Sequence, residues 1–246
     1  MRGKSKKGTW LQALGSLFGA VLFIMCLRWA FFEPYVIPSG SMIPNLLVHD
    51  FILVNKFSYG VRIPFTSEWL MKFGDPKRGD VVVFKSKNDS GHFLVKRVVG
   101  LPGDNVEFNE AGELMINGDL VSRAIKDSSK LAYFFESLDA VEKEEYKDEY
   151  NFYLEVRNSK EYVTILDKNL EHEPEGPFVI PEGQMMMVGD NRDNSVDSRS
   201  WGFVPFENIL GRAAYIWMSC SETLEGAPNI CHPNYFRWNR MFKRVE

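Results

Sequence analysis

Histidine and cysteine are scarce in this chain: 246 residues hold four histidines and three cysteines. No pair of them has metal-ligand spacing, so neither a structural zinc nor any other metal or cofactor is expected. A Gly-x-Ser-x-Gly elbow is missing, and none of His49, His92, His172 or His232 lies in a catalytic signature. That weakens any serine–histidine route. Internal repeats and low-complexity tracts are also absent. With 45% hydrophobic, 25% charged and 14% aromatic residues, disordered and collagen-like classes are excluded. Finally, the first 32 positions contain no acid but five cations, Arg2, Lys4, Lys6, Lys7 and Arg28. The whole chain carries −4, which leaves −9 for the remainder. An acidic body argues against nucleic acid as a partner, because phosphate binding needs a basic face.

What is present begins with a charge-free run of 18 residues, Trp10 to Leu27. As a helix it would span about 27 Å, close to the roughly 30 Å hydrocarbon core of a bilayer. A cleaved secretory signal would need a small-x-small site, and Arg28-Trp29-Ala30 puts a charge where a small residue is required. The run therefore reads as a retained anchor over residues 9–32. The cations before it form a cytoplasmic basic segment, residues 1–8, and place everything after about residue 33 outside. Cys26 lies in the anchor. Outside, Cys220 and Cys231 are either a loop disulfide or two free thiols.

Beyond the anchor, Gly, Pro, Asp and Asn punctuate short runs such as "DFILVNKF", "GDVVVFK", "HFLVKRVVG", "GQMMMVGD" and "GRAAYIWM". These predict a mainly β, antiparallel domain rather than a βαβ architecture. Residues 105–177 differ in texture, with the charge run "EKEEYKDE" read as a solvated face. They are expected to form an inserted, smaller β-rich subdomain that splits the surrounding β domain into 33–104 and 178–221. In the tail, 222–246, helical spacing would put Trp238, Met241, Phe242 and Val245 on one stripe. That predicts a basic amphipathic helix, either on a membrane surface or docked on its own domain.

Three segments carry chemistry. "IPSGSMIPNL" sets Ser39 and Ser41 between prolines. In "FLVKRVVGLPGD", strand alternation puts Lys96 on one face with Leu94 and Val98, and Arg97 on the other with Phe93, Val95 and Val99. An ammonium between aliphatic side chains is where desolvation would lower a lysine pKa far enough for it to accept a proton. "GDNRDNSVDSRSWGF" is denser in Asp, Asn, Arg and Ser than a turn requires. It fails as a calcium loop, because Ser198 and Val204 occupy the glycine and glutamate positions. As an extended segment, it would point Ser195, Asp197 and Arg199 to one side.

Together, in this order after an apolar run, "PSGSM", "KRVVGLPGD" and "GDNRDNSVDSR" resemble the bacterial type I signal peptidases. "YGVR" and "RGDVVVF" fit the remaining motif blocks. The resemblance implies a membrane-bound serine endopeptidase that removes signal peptides after small residues of Ala-x-Ala type. It implies Ser41 as nucleophile, Lys96 as general base, and an oxyanion hole from the Ser41 N–H and the Ser39 hydroxyl. Ser195, Asp197, Arg199 and Arg97 would support the site, and Tyr35, Ile37, Met42, Leu46, Ile52, Val83 and Val95 would line shallow substrate pockets. The expected partners are preproteins and the lipid bilayer, with no obligatory oligomer. The expected location is the bacterial cytoplasmic membrane, single-pass, with the catalytic domain outside. Competing classes are a DNA-damage-type Ser-Lys autoprotease, a pilin-maturing peptidase and a non-enzymatic tethered binding protein.

Overall fold

The structure is a computed structural model that describes residues 10–63, 69–86, 92–125, 129–157 and 160–246. The expected basic segment at 1–8 lies outside the described residues. Helix α1 (Trp10–Ala30) is followed by β1 (Phe32–Val36), β2 (Asp50–Asn55), the short pair β3 (Gly60–Arg62) and β4 (Trp69–Lys72), then β5 (Val81–Lys85) and β6 (Phe93–Gly100). Next come β7 (Asn105–Phe108), β8 (Leu114–Ile116), β9 (Asp119–Leu120), β10 (Ser122–Ala124), helices α2 (Ser129–Glu136) and α3 (Ala140–Glu149), β11 (Tyr150–Arg157), β12 (Lys160–Asp167) and β13 (Glu175–Val179). The chain finishes through β14 (Gln184–Val188), a one-turn helix at Ser198–Trp201, β15 (Val204–Pro205), β16 (Ile209–Ser219), β17 (Thr223–Leu224), β18 (Ala227–Cys231) and β19 (Lys243–Arg244).

One antiparallel sheet organises the catalytic part, in the order β1-β2-β16-β5-β6-β14-β15, with β19 beside β16. The long strand β16 joins the two halves, pairing with β2 and β5 through register shifts. In a flat sheet with strands roughly 4.8 Å apart, three intervening strands would hold β1 far from β6. Yet the rings of Tyr35 on β1 and Phe93 on β6 approach to 5.5 Å. The sheet is therefore strongly curled, in keeping with strand twist. The curl encloses a core that includes Ile37, Met42, Leu46, Ile52, Val83 and Val245. Each such side chain contributes about 1.5–3 kcal/mol by leaving water.

The mainly β, antiparallel reading describes this sheet, but one local expectation needs correction. Residues 105–177 carry two helices as well as strands. The charge run read as a solvated face is α3, which buries none of its residues and whose N-cap Asp139 and N3 residue Glu142 form a reciprocal capping box. The Asp-x-x-Glu spacing was the signal. The tail is not a helix: it makes a single turn at Trp238–Arg240 and then strand β19. Arg240 is fully buried on Asp50, so it cannot belong to the solvated face of an amphipathic helix. Trp238 and Phe242 remain 72% and 78% exposed. Cys220 and Cys231 are joined in a disulfide.

Helix α1 exposes its apolar side chains, among them Trp10, Phe18, Phe23 and Ile24. Among the described residues no helix is long and apolar enough to cross a membrane; the side chains of residues 11 and 26–30 lie outside that description.

Candidate active site

The turn Gly40–Met42 follows β1 and lies against β6. The hydroxyls of Ser39 and Ser41 are 3.4 Å apart and open to solvent. Behind them, the Ser41 carbonyl accepts the Asn191 N–H at 3.1 Å, and the Gly40 carbonyl accepts the Asn191 side-chain amide at 3.3 Å. The Ser39–Ser41 turn is thus fastened to the loop after β14.

Lys96 sits in the middle of β6 and is 4% exposed. Its strand neighbours Leu94 and Val98 pack in the apolar cluster of Val82, Phe84 and Met187. The amine donates to Ser195 Oγ at 3.0 Å. Burial pushes its pKa down to about 8; Asp197 and Asp190 pull upward less strongly, and Arg199 adds to the fall. Among the described residues Lys96 has no ion pair.

The explanation is the hydroxyl between them. Ser195 Oγ donates to Asp197 Oδ2 at 2.7 Å, so the carboxylate nearest the lysine is reached through a serine. Asp197 is also occupied by Arg199, whose Nε and Nη2 donate to it at 2.9 Å each, and by the Gly189 N–H at 3.0 Å. Burial pushes the Asp197 carboxyl up, but these donors outweigh it and hold it below the usual carboxylate range. The loop is not extended as expected. Asp197 caps the one-turn helix that begins at Ser198, and the Ser198 hydroxyl accepts the Met187 N–H. Side-chain oxygens competing for backbone donors account for the turn.

Gly189 lets the Ser41 turn and Ser195 come together. A Cβ there would lie 2.2 Å from Ser195 Oγ and 2.5 Å from the Ser41 carbonyl oxygen. Both groups therefore close on one glycine, and no other residue fits without separating them.

On the opposite face of β6, Arg97 is fully buried and forks onto Asp190 at 2.6 and 2.7 Å. Its remaining nitrogen donates to the Gly79 and Glu246 carbonyls, and its plane lies over the Tyr162 ring at 3.8 Å. Burial lowers the Arg97 pKa, but Asp190 overcomes it and the net shift is upward.

The structure gathers Ser39, Ser41, Lys96, Arg97, Ser195, Asp197 and Arg199 into one neighbourhood. The seven expected pocket residues fall in a single cluster: Ile37, Met42, Leu46, Ile52 and Val83 buried, with Tyr35 and Val95 partly buried against them. Of the histidines, His172 pairs with Asp193, His49 approaches the Ser221 carbonyl, and His232 contacts Tyr235. Sequence reasoning missed Asn45, whose amide donates to the Val163 carbonyl at 2.6 Å and to Asp190 at 2.7 Å. It also missed the buried Glu155–Arg192 pair, by which the insert holds the loop after β14. No spacing in the sequence signals either, because the partners are far apart along the chain.

The signal peptidase family, peptidase S26, matches residues 10–218. This chain belongs to that family. It is 40% identical to signal peptidase I of Pseudomonas fluorescens, over 95% of this chain and 80% of the relative. It is 39% identical to signal peptidase I of Pseudomonas aeruginosa, over 92% and 80%. Against signal peptidase I of Buchnera aphidicola subsp. Schizaphis graminum the figures are 37%, 87% and 76%. As a member of the signal peptidase family, the chain is a serine endopeptidase.

Proposed function

We propose that Ser41 is the nucleophile and Lys96 the general base by which this signal peptidase removes signal peptides from exported preproteins. The observation that carries the assignment is the buried Lys96 amine, held on Ser195 and kept from direct pairing with Asp197. A neutral lysine accepts the Ser41 proton as Oγ attacks the scissile carbonyl. The Ser41 N–H and the Ser39 hydroxyl stabilise the oxyanion. The protonated lysine then gives its proton to the departing amine, and in its neutral form it activates the water that hydrolyses the ester. Ser195 fixes the amine, while Asp197, Arg199 and the Arg97–Asp190 pair hold the strand and loop.

Strand addition accounts for substrate binding. β1 pairs on one side only, with β2, and β6 pairs with β14 only from Arg97 onward. The edges of β1 and of Phe93–Lys96 can accept an extended segment between them. The bulky cluster below leaves room for small side chains, which fits cleavage after Ala-x-Ala sequences. The charge-free run from Trp10 to Leu27, preceded by cations and with some side chains outside the described residues, is read as a membrane anchor with the catalytic part outside. Ser41, fourteen residues past Leu27, then lies within about 50 Å of the bilayer, where a tethered substrate presents its cleavage site.

The test is incubation of the purified, detergent-solubilised protein with a preprotein, followed by N-terminal sequencing of the product. The expected product begins at the mature N-terminus, and Ser41→Ala yields none. Intact preprotein with the wild-type enzyme would overturn the assignment.

A further inference from the structure

A cavity of about 310 Å³ lies between Pro44–Asn45, the start of α2 and strand β19, and neither Ser41 nor Lys96 lines it. Its charge runs against that of the molecule, which carries −4 as a whole. Among the described residues three cations, Lys130, Lys243 and Arg244, line the cavity against one carboxylate, Glu246. Glu246 pairs with Lys130. Lys243 and Arg244 have no carboxylate partner among the described residues; the Lys243 amine lies 4.0 Å from the centre of the Tyr133 ring instead. Tyr133, also in the wall, has a buried hydroxyl with no hydrogen-bond partner. Burial pushes its pKa up, so the proton stays and the group remains a donor. A buried donor without an acceptor is costly, and two unmatched cations beside it call for an anion with several acceptor oxygens. The buried side chains of Val163, Ile216 and Val245 complete the wall and suit a short carbon skeleton.

We propose that this cavity binds a small phosphate monoester, with Lys243 and Arg244 as its charge partners, Tyr133 as hydroxyl donor, and Lys130 shared between the ligand and Glu246. Three cations less one carboxylate leave an excess of two positive charges in the lining. A phosphate monoester carries about −1.5 to −2 at pH 7 and matches that excess, whereas a lone carboxylate leaves half of it uncompensated. The Glu246 side chain is 58% exposed, so it yields to the ligand without disturbing the core and acts as a competitor. Its main-chain oxygen is held by Arg97, which puts the ligand one contact away from the strand that carries Lys96. Two sources offer the same chemistry, a soluble ester such as glycerol 3-phosphate and the headgroup of phosphatidic acid.

The experiment titrates glycerol 3-phosphate calorimetrically into the detergent-solubilised full chain, beside glycerol and acetate at the same ionic strength. Wild type should bind the ester at a single site and neither control. The Lys243→Ala/Arg244→Ala double variant should weaken binding about tenfold or more, and Tyr133→Phe should weaken it less. Glu246→Gln should tighten it, because the competing carboxylate is gone. For the second source, native mass spectrometry of the enzyme in mixed micelles compares retained phosphatidic acid with phosphatidylcholine. Retention of phosphatidic acid that is lost in the double variant supports a lipid headgroup site, and binding of the soluble ester alone supports a soluble ligand. Binding of neither by wild type overturns the proposal. So does ester binding that the double variant retains in full, or acetate binding as tight as that of the ester. A denaturant melt checks that each variant is folded. Should the double variant melt early, Glu246→Gln decides, and unchanged or weaker ester binding by it overturns the proposal.

Discussion

Lys96 and Arg97 are consecutive residues on one strand, both buried cations, and the protein treats them in opposite ways. Arg97 meets its carboxylate directly: two parallel bonds to Asp190, two carbonyls and an aromatic face complete its surroundings. Lys96 meets a carboxylate only through the Ser195 hydroxyl, and its alkyl stem lies among aliphatic neighbours. One site compensates a permanent charge; the other leaves the ammonium without a direct counter-ion, and its pKa falls. In the proposed mechanism, the difference of one interposed hydroxyl separates a structural cation from a base.

The largest effect comes from abolishing the reactive side. Ser41→Ala and Lys96→Ala should each eliminate turnover, and the double variant should be no worse than either, since they act as one unit. A single-turnover assay with a preprotein checks this, and His49→Ala or His172→Ala should remain active. On the structural side, Arg97→Met strands Asp190 without its charge partner. It should cost about 3–5 kcal/mol in a denaturant melt. Lys96→Met, by contrast, should be inactive yet at least as stable as wild type at pH 7; a marked loss would make Lys96 a structural cation like its neighbour.

Ser39→Ala should lower kcat by about 10²–10³ with little change in KM, if its hydroxyl serves the oxyanion. A smaller and more diagnostic effect is the pH profile. Because the lysine must be neutral, kcat/KM should rise about tenfold per pH unit below about 8 and then level. The stability sign follows from the same shift. Between pH about 8 and 10.5 the unfolded chain holds a proton that folded Lys96 has lost, so stability rises with pH across that window and the Lys96→Met advantage shrinks. Ser195→Asp would turn the Lys96 side into a copy of the Arg97 side, and the activity profile should move to higher pH.

The strand period alone was enough to place Lys96 and Arg97 on opposite faces and to find the β-rich texture of the main sheet. The ordered motifs located the serines and the loop at 189–199. What escaped were features set by distant partners. Asn45 has a role only because Val163 and Asp190, 118 and 145 residues away, arrive beside it. The tail looked like an amphipathic helix because helical spacing sorts its apolar residues. Burial of Arg240 on Asp50, a partner 190 residues earlier, overrides that local pattern. The Asp139–Glu142 box, by contrast, was readable and passed over.

Those long separations bear on the order in which the site assembles. Ser195 reaches Lys96 across 99 residues, and Arg240 closes on Asp50 across 190. Contacts of such high sequence separation form late, after the loop-closure entropy has been overcome. Until the loop at 189–199 has docked, Lys96 lacks the hydroxyl that holds its amine and Ser41 lacks the loop behind its carbonyl. The site is thus a product of tertiary closure, and no local segment can assemble it in advance.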